Sequence, residues 1–166
     1  DVQGALSDFD RAILIAPIAG MLQTAAQHPD PRVRGEVVAA LKDVEPRAAR
    51  PILLRMLESA DSRLFGAVLQ QLSQARDREI AQFVLALMLD SEFDRRPDPE
   101  KRAIYFAISA AGGDEIVPEL EAELMRGGLF ARGEDPHRHA VAHCIARIGT
   151  PLARQVLERG ALSRKG

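Results

Sequence analysis

The sequence has no tryptophan, one tyrosine and one cysteine, and aromatic residues make up 4% of its 166 positions. So few aromatic side chains argue against a single-strand nucleic-acid binder, which stacks bases on such side chains. The lone Cys144 excludes an internal disulfide framework and is typical of a reducing compartment. Because no run of about 18 apolar residues occurs, we predict a cytoplasmic protein that does not insert into membranes.

The charge is close to balanced, with 22 lysines and arginines, 24 aspartates and glutamates, and a net charge of −2. Neither a polybasic face nor an acidic tail is indicated. Hydrophobic residues make up 46% of the chain, which is typical of a folded domain. The chain begins at Asp1 rather than at a methionine, and the first repeat identified below is truncated, because Leu6 is predicted near the end of a helix whose start is missing. We therefore expect a segment of a longer protein.

Apolar residues recur along the chain in one register. Five anchor positions follow one another at intervals of 31 to 37 residues: Leu6, Leu41, Leu72, Ile108 and Ile145. Apolar residues also stand eight, twelve and sixteen positions after every anchor. A period of this length, with helical spacing inside each repeat, predicts stacked pairs of helices.

Each repeat is predicted to consist of a helix A, a short turn and a helix B. In the second repeat, Asp30 is a natural N-cap and Pro31 a natural first residue of helix A, while helix B is predicted from Glu45 to Ser59. Glycines such as Gly149 mark the turns at which A helices end. The predicted single domain over residues 1–166 comprises five repeats, the first of them truncated, at residues 1–27, 28–59, 60–93, 97–128 and 135–166.

Two stretches of this pattern resemble the HEAT-repeat family in its short bacterial form. Asp30-Pro31-Arg32-Val33-Arg34 begins a helix A, and Ile145-Ala146-Arg147-Ile148-Gly149-Thr150-Pro151 spans the turn to a helix B. The aspartate and the arginine four residues later recur as Asp98 and Arg102. The resemblance implies an all-α fold, a right-handed armadillo-like α-α superhelix of about four and a half helical pairs. It also implies a protein-binding scaffold that is not an enzyme.

In the superhelix that the resemblance implies, the B helices line the concave side. Residues opposite the buried stripe of each B helix would face outward there. The residues that we predict to bind a partner are Arg47, Arg50, Leu54, Arg78, Leu85, Leu89 and Met125. An apolar strip with an arginine rim suits an amphipathic helix or an extended peptide of another protein, or of another domain of the same chain. The alternative is that curvature buries the leucines between neighbouring B helices.

Two longer connections between repeats are further candidates, because insertions in solenoids often collect on the functional edge. The first, residues 90–97, contains Arg95 and Arg96. The second, residues 127–136, contains Leu129 and Phe130, which either pack against the last two repeats or form a partner-binding knob. The arginines of the concave face and of the 90–97 loop also suggest nucleic-acid binding as an alternative function, which the near-neutral charge disfavours.

His139 and His143 are weak candidates for a metal site, since residues four apart share a helix face. The repeat register explains this region without a metal: Cys144 falls on a small inward position and His143 on the outer side. Deoxyhypusine hydroxylase, an enzyme of similar fold, binds iron through His-Glu pairs, and no His-Glu dipeptide occurs here. No catalytic constellation or cofactor motif is present, so we predict no metal, no cofactor and no enzyme activity.

Overall fold

All regular secondary structure is helical in the residues that the structure, a computed structural model, describes, namely 18, 20–58, 60–126 and 135–162. The predicted all-α class is confirmed, and none of the described helices has the length and apolar character needed to span a bilayer. Residues 20–25 belong to the first helix, α1. The helices that follow are α2 (Pro31–Ala40), α3 (Pro46–Leu57), α4 (Ser62–Ser73), α5 (Arg78–Leu89), α6 (Asp98–Ala111), α7 (Val117–Met125), α8 (Pro136–Ile148) and α9 (Pro151–Leu162). Single turns of 3-10 helix follow α2 at Leu41–Asp43 and precede α6 at Phe93–Arg95.

The helices correspond to the predicted alternation of A helices (α2, α4, α6 and α8) and B helices (α3, α5, α7 and α9). The anchors Leu41, Leu72, Ile108 and Ile145 are each at most 3% exposed, and Leu6 lies outside the described residues. The sequence register therefore identified interior positions of these repeats.

Side-chain caps explain where two of the A helices begin. Asp30 accepts a hydrogen bond from the backbone N–H of Arg32 at 2.9 Å, and Asp135 accepts one from His137 at 2.9 Å. A proline follows each aspartate as the first helical residue, where its missing N–H leaves no helical bond unmade. Each cap satisfies a donor that the first turn leaves without a helical partner, and contributes about 0.5–2 kcal/mol.

Glycine ends two A helices for two different reasons. Gly149 closes α8 in the left-handed conformation, with φ 69° and ψ 9°, and its N–H donates to the carbonyl of Ile145 at 3.3 Å. A residue with a Cβ rarely adopts this conformation. Gly112 closes α6 with an ordinary φ of −72°, but a Cβ there would lie 2.6 Å from the carbonyl oxygen of Ile108. Close packing, rather than backbone conformation, therefore requires glycine at Gly112.

The chain divides into two compact units, residues 1–71 and 72–166. In the first unit, apolar residues of α2, the following 3-10 turn, α3 and the first part of α4 form the core. The buried residues of these elements are Val37, Val38, Leu41, Ala49, Ile52, Leu53, Met56, Leu64, Phe65, Val68 and Leu69. Burial stabilises the fold by roughly 1.5–3 kcal/mol for each large apolar side chain.

In the second unit, α6 packs against both α5 and α8, and α8 packs against α7 and α9. Since α7 also packs against α9, A helices contact A helices and B helices contact B helices. This is the arrangement of stacked helical pairs that defines an α-α solenoid. The residues that are 0% exposed at these contacts include Ile104, Ile108, Ile116, Val117, Leu120, Val141, Ile145 and Val156.

Candidate partner-binding surface

The three predicted partner-binding residues of α3 differ in exposure. Arg47 is exposed, whereas Arg50 and Leu54 are half-buried. Leu54 directly follows the buried Leu53, which places it at the edge of the buried stripe of the helix. Of the three predicted residues on α3, only Arg47 is therefore fully exposed.

On α5, the predicted exposure of Leu85 is wrong, because its side chain is 5% exposed. The helix buries two adjacent rows of residues, Ile80, Val84 and Met88 in one and Ala81 and Leu85 in the other. The helix packs against both α6 and the 3-10 turn at Phe93–Arg95, and both of its rows are buried. Leu89, one turn later, is 43% exposed at the end of the helix, and Arg78 is exposed at its beginning.

Met125, at the end of α7, is 37% exposed and borders a crevice of about 170 Å³ between α7, α8 and α9, here called the Met125 crevice. Leu124, Ala142, Leu157 and Gly160 also line it. A Cβ on Gly160 would lie 3.4 Å from Cδ2 of Leu124 and 3.7 Å from Cε of Met125, so the missing side chain leaves this space open. The volume suits one apolar side chain of a partner rather than a whole small-molecule ligand, since pockets for such ligands measure roughly 300–1,000 Å³.

The two histidines proposed as weak metal candidates line different depressions. His139 borders the Met125 crevice, whereas His143 borders a groove between α6 and α8. Both side chains are exposed. Within the described residues, no group of three or more histidines, cysteines, aspartates and glutamates is arranged to hold a metal ion.

Two arginines of α7–α9 form ion pairs with glutamates. Arg159 on α9 donates from Nε and Nη2 to the two carboxylate oxygens of Glu121 on α7, both at 3.0 Å. Nη2 of Arg126, directly after α7, lies 2.7 Å from Oε1 of Glu123. The bidentate geometry of the first pair ties two B helices together and neutralises the positive charge there.

The two arginines of the 90–97 loop are also paired. Nη1 of Arg95 lies 2.8 Å from both carboxylate oxygens of Glu92, and Nη1 of Arg96 lies 3.2 Å from Glu100. Acidic neighbours along the chain thus neutralise both cations, which weakens the case for phosphate binding at this loop. Residues 127–134, with Leu129 and Phe130, lie outside the described residues.

A polar cluster between α6, α7 and α8 was not predicted from the sequence. The hydroxyl of Tyr105 lies 2.6 Å from Nδ1 of His137, and Nε2 of His137 lies 3.7 Å from Oε2 of Glu123, which is 5% exposed. The ring of Phe93 packs edge-on against Tyr105 and His137, with centroids 5.6 and 5.7 Å apart. Burial, followed by the charge of nearby acidic groups, raises the pKa of Tyr105 to about 12.

The repeat register contains a signal that could have located Glu123. Fifteen positions after the anchor, the second and third repeats carry Met56 and Leu87, whereas the fourth carries Glu123. A carboxylate at a position that is otherwise apolar indicates a buried polar contact, because an unpartnered buried charge is costly. The register does not identify the partner of Glu123, because this partner, His137, belongs to the next repeat.

Helical pairs stacked A on A and B on B define an α-helical repeat protein. Within this class, the family of HEAT repeats matches residues 18–98, so this part of the chain is composed of HEAT repeats and the predicted resemblance is confirmed there. HEAT repeats generally serve as scaffolds for protein–protein interactions and typically carry no catalytic site. No curated protein and no solved structure matches the chain.

Proposed function

We propose that this chain is a non-enzymatic scaffold that binds another protein, or another domain of the same chain, through the exposed side of its B helices. The observation that carries the proposal is the exposure of two large apolar side chains at the ends of B helices, Leu89 at 43% and Met125 at 37%. Large apolar side chains are usually buried, and exposed apolar surface often marks a contact site. Met125 also borders a crevice that a partner's side chain can enter. Arg78, at the beginning of α5, belongs to the same proposed surface, and Leu85 is a core residue of that helix. In the first unit, Arg47, Arg50 and Leu54 of α3 stay a separate prediction of partner contact.

The proposed mechanism is preorganisation by stacked helices. Apolar side chains of α5 to α9 are buried where these helices pack together, so the helices that carry Leu89 and Met125 are already ordered before a partner arrives. Little conformational entropy is then lost when the partner docks. The flexible thioether of Met125 can adapt to the side chain that enters the crevice. An amphipathic helix or an extended peptide that inserts one apolar residue fits this surface best.

Nucleic-acid binding through the arginines of α3, α5 and the 90–97 loop is the alternative. The ion pairs of Arg95 with Glu92 and of Arg96 with Glu100 count against it, as does the net charge of −2. Phosphate neutralisation would make binding fall steeply with salt. A salt titration with duplex and single-stranded DNA therefore separates the two functions.

The test is affinity capture from a cell lysate with the chain as bait, followed by rebinding of each captured protein in purified form. The variant replaces Leu89 and Met125 by glutamate. The matched control replaces Gln82 and Ala122, which are exposed positions of the same two helices, by glutamate. Both variants gain two negative charges, so charge alone cannot separate them, and circular dichroism establishes that each stays helical.

We expect a protein that binds the unmodified chain and the control but not the Leu89/Met125 variant. Rebinding of that purified protein with the same preference would establish the B-helix surface. If every captured protein binds the variant as well as the control, this surface is not the binding site.

A further inference from the structure

A second groove, of about 390 Å³, lies between the A helices α6 and α8 and is here called the α6–α8 groove. It shares no lining residue with the Met125 crevice of the surface proposed above. Residues of α6 on its walls include Arg102, Phe106 and Ser109, and residues of α8 include His143, Cys144 and Arg147. No aspartate or glutamate is among its lining residues.

The polar atoms deep in the α6–α8 groove are satisfied within the protein. The carbonyl of Tyr105 accepts hydrogen bonds from Oγ of Ser109 at 2.9 Å and from Sγ of Cys144 at 3.3 Å. Burial raises the pKa of the Cys144 thiol, which keeps it neutral. The floor therefore offers a ligand an uncharged surface that needs no further partner.

The rim of the groove differs from its floor, because it combines positive charge with an exposed ring. Phe106 is 45% exposed, and the guanidinium carbon of Arg147 lies 5.9 Å from the centroid of its ring. Arg102 and Arg147 are exposed, and neither forms an ion pair with a carboxylate in the described part of the chain. Two exposed arginines and an exposed aromatic ring thus border a groove that has no acidic residue among its lining residues.

We propose that the α6–α8 groove binds an acidic segment of a partner protein that presents one apolar side chain among aspartates or glutamates. The arginines recognise the carboxylates, because a guanidinium binds a carboxylate through directed, charge-assisted hydrogen bonds. The apolar side chain covers the exposed ring of Phe106 and fills the neutral floor. A protein segment fits better than a nucleic acid, since two arginines in a chain of net charge −2 neutralise few phosphates.

The test uses an array of short fluorescein-labelled peptides in which aspartates and glutamates flank a phenylalanine, a leucine or an alanine. Matched peptides carry asparagine and glutamine instead of the acidic residues. Fluorescence anisotropy with the whole chain measures the affinity for each peptide. The variant is Arg102→Glu with Arg147→Glu, and its matched control is Arg55→Glu with Arg63→Glu, two exposed arginines of the first unit.

We expect acidic peptides with phenylalanine or leucine to bind, and their amide counterparts to bind at least about tenfold more weakly. The Arg102/Arg147 variant should lose this binding and the Arg55/Arg63 control should keep it. Phe106→Ala should reduce the preference for phenylalanine over alanine in the peptide while leaving the preference for acidic residues. Because Phe106 is exposed, this variant keeps the core intact.

Three results would overturn the proposal: no acidic peptide binds, the Arg102/Arg147 variant binds as well as its control, or single-stranded DNA binds the groove more tightly than any peptide. The Leu89/Met125 variant should bind the peptides normally. The proposal for this groove and the proposal for the B-helix surface are therefore tested independently.

Discussion

The two sides of the second unit use the same residue types in different ways. On the B-helix side, Arg159 pairs with Glu121 and ties α9 to α7. On the A-helix side, Arg102 and Arg147 border a groove that contains no carboxylate. Arginine therefore joins neighbouring repeats where a glutamate faces it, and remains available to a ligand where none does. Residue type alone does not separate these two uses, but the presence of a facing carboxylate does.

The largest expected effect concerns two leucines that lie one turn apart on α5. Leu85→Glu should abolish folding, because it places a carboxylate at a position that is 5% exposed, and Leu85→Ala should cost about 2–5 kcal/mol. Leu89→Glu should change the free energy of unfolding by less than about 0.5 kcal/mol, since this side chain is 43% exposed. Urea denaturation followed by circular dichroism measures both.

This prediction reverses the sequence hypothesis, in which Leu85 was a surface residue. Equal stability of Leu85→Ala and Leu89→Ala would show that the two positions do not differ in burial, and would remove the distinction between core and surface on this helix.

The second effect concerns Tyr105 of α6, whose hydroxyl contacts His137 of α8. Its pKa is raised from 10.0 to about 12, so the phenol is protonated in both states below pH 10 and stability is complete there. Between pH 10 and about 12 the unfolded chain loses this proton before the folded chain does, so the free energy of unfolding falls as the pH rises. We expect a loss of about 1–2 kcal/mol, which allows for partial exposure of the ring.

The measurement is simple because Tyr105 is the single tyrosine and no tryptophan is present. Tyrosinate absorbance should titrate with a midpoint near 12 in the folded protein and near 10 in denaturant. Tyr105→Phe should remove this component of the alkaline loss of stability. A folded-state midpoint near 10 would show that burial and the acidic neighbours do not act on the phenol.

The third effect compares two glycines. Gly149→Ala should cost about 1 kcal/mol, because alanine disfavours the left-handed conformation that ends α8. Gly35→Ala, within α2, should instead stabilise the protein by about 0.5–1 kcal/mol, since a Cβ there meets nothing within 4 Å. Thermal unfolding of the two variants should therefore shift in opposite directions. Shifts of the same sign would contradict the assignment of Gly149 as a conformational requirement.

The smallest effect tests the arginine comparison directly. Glu121→Gln should cost no more than about 1 kcal/mol, because the partner Arg159 is half exposed and such pairs are screened by solvent and salt. The cost should decline as salt is added. The same substitution should leave peptide binding at the α6–α8 groove unchanged, and a change there would mean that the two sides are not independent.

The residue register predicted the interior well and the surface only in part. Spacing of apolar residues identified Leu41, Leu72, Ile108 and Ile145 as buried, because one row of contacts per helix follows from helical periodicity. The spacing could not reveal that α5 buries a second row, which contains Leu85. The number of buried rows depends on how many other elements pack against the helix. Nor could the spacing pair Tyr105 with His137, because contacts across repeats depend on side-chain conformations that periodicity does not contain.

The pattern of helix contacts in the second unit also bears on how this unit folds. Its principal contacts join helices that are neighbours or next neighbours along the chain, from α5 with α6 to α8 with α9. Contact order is therefore low, and loop closure costs little entropy before contacts form. Such all-helical topologies fold in roughly microseconds to milliseconds. The unit can nucleate at any helical pair and grow outward from it, so the interaction surfaces on both sides would be assembled together in one rapid event.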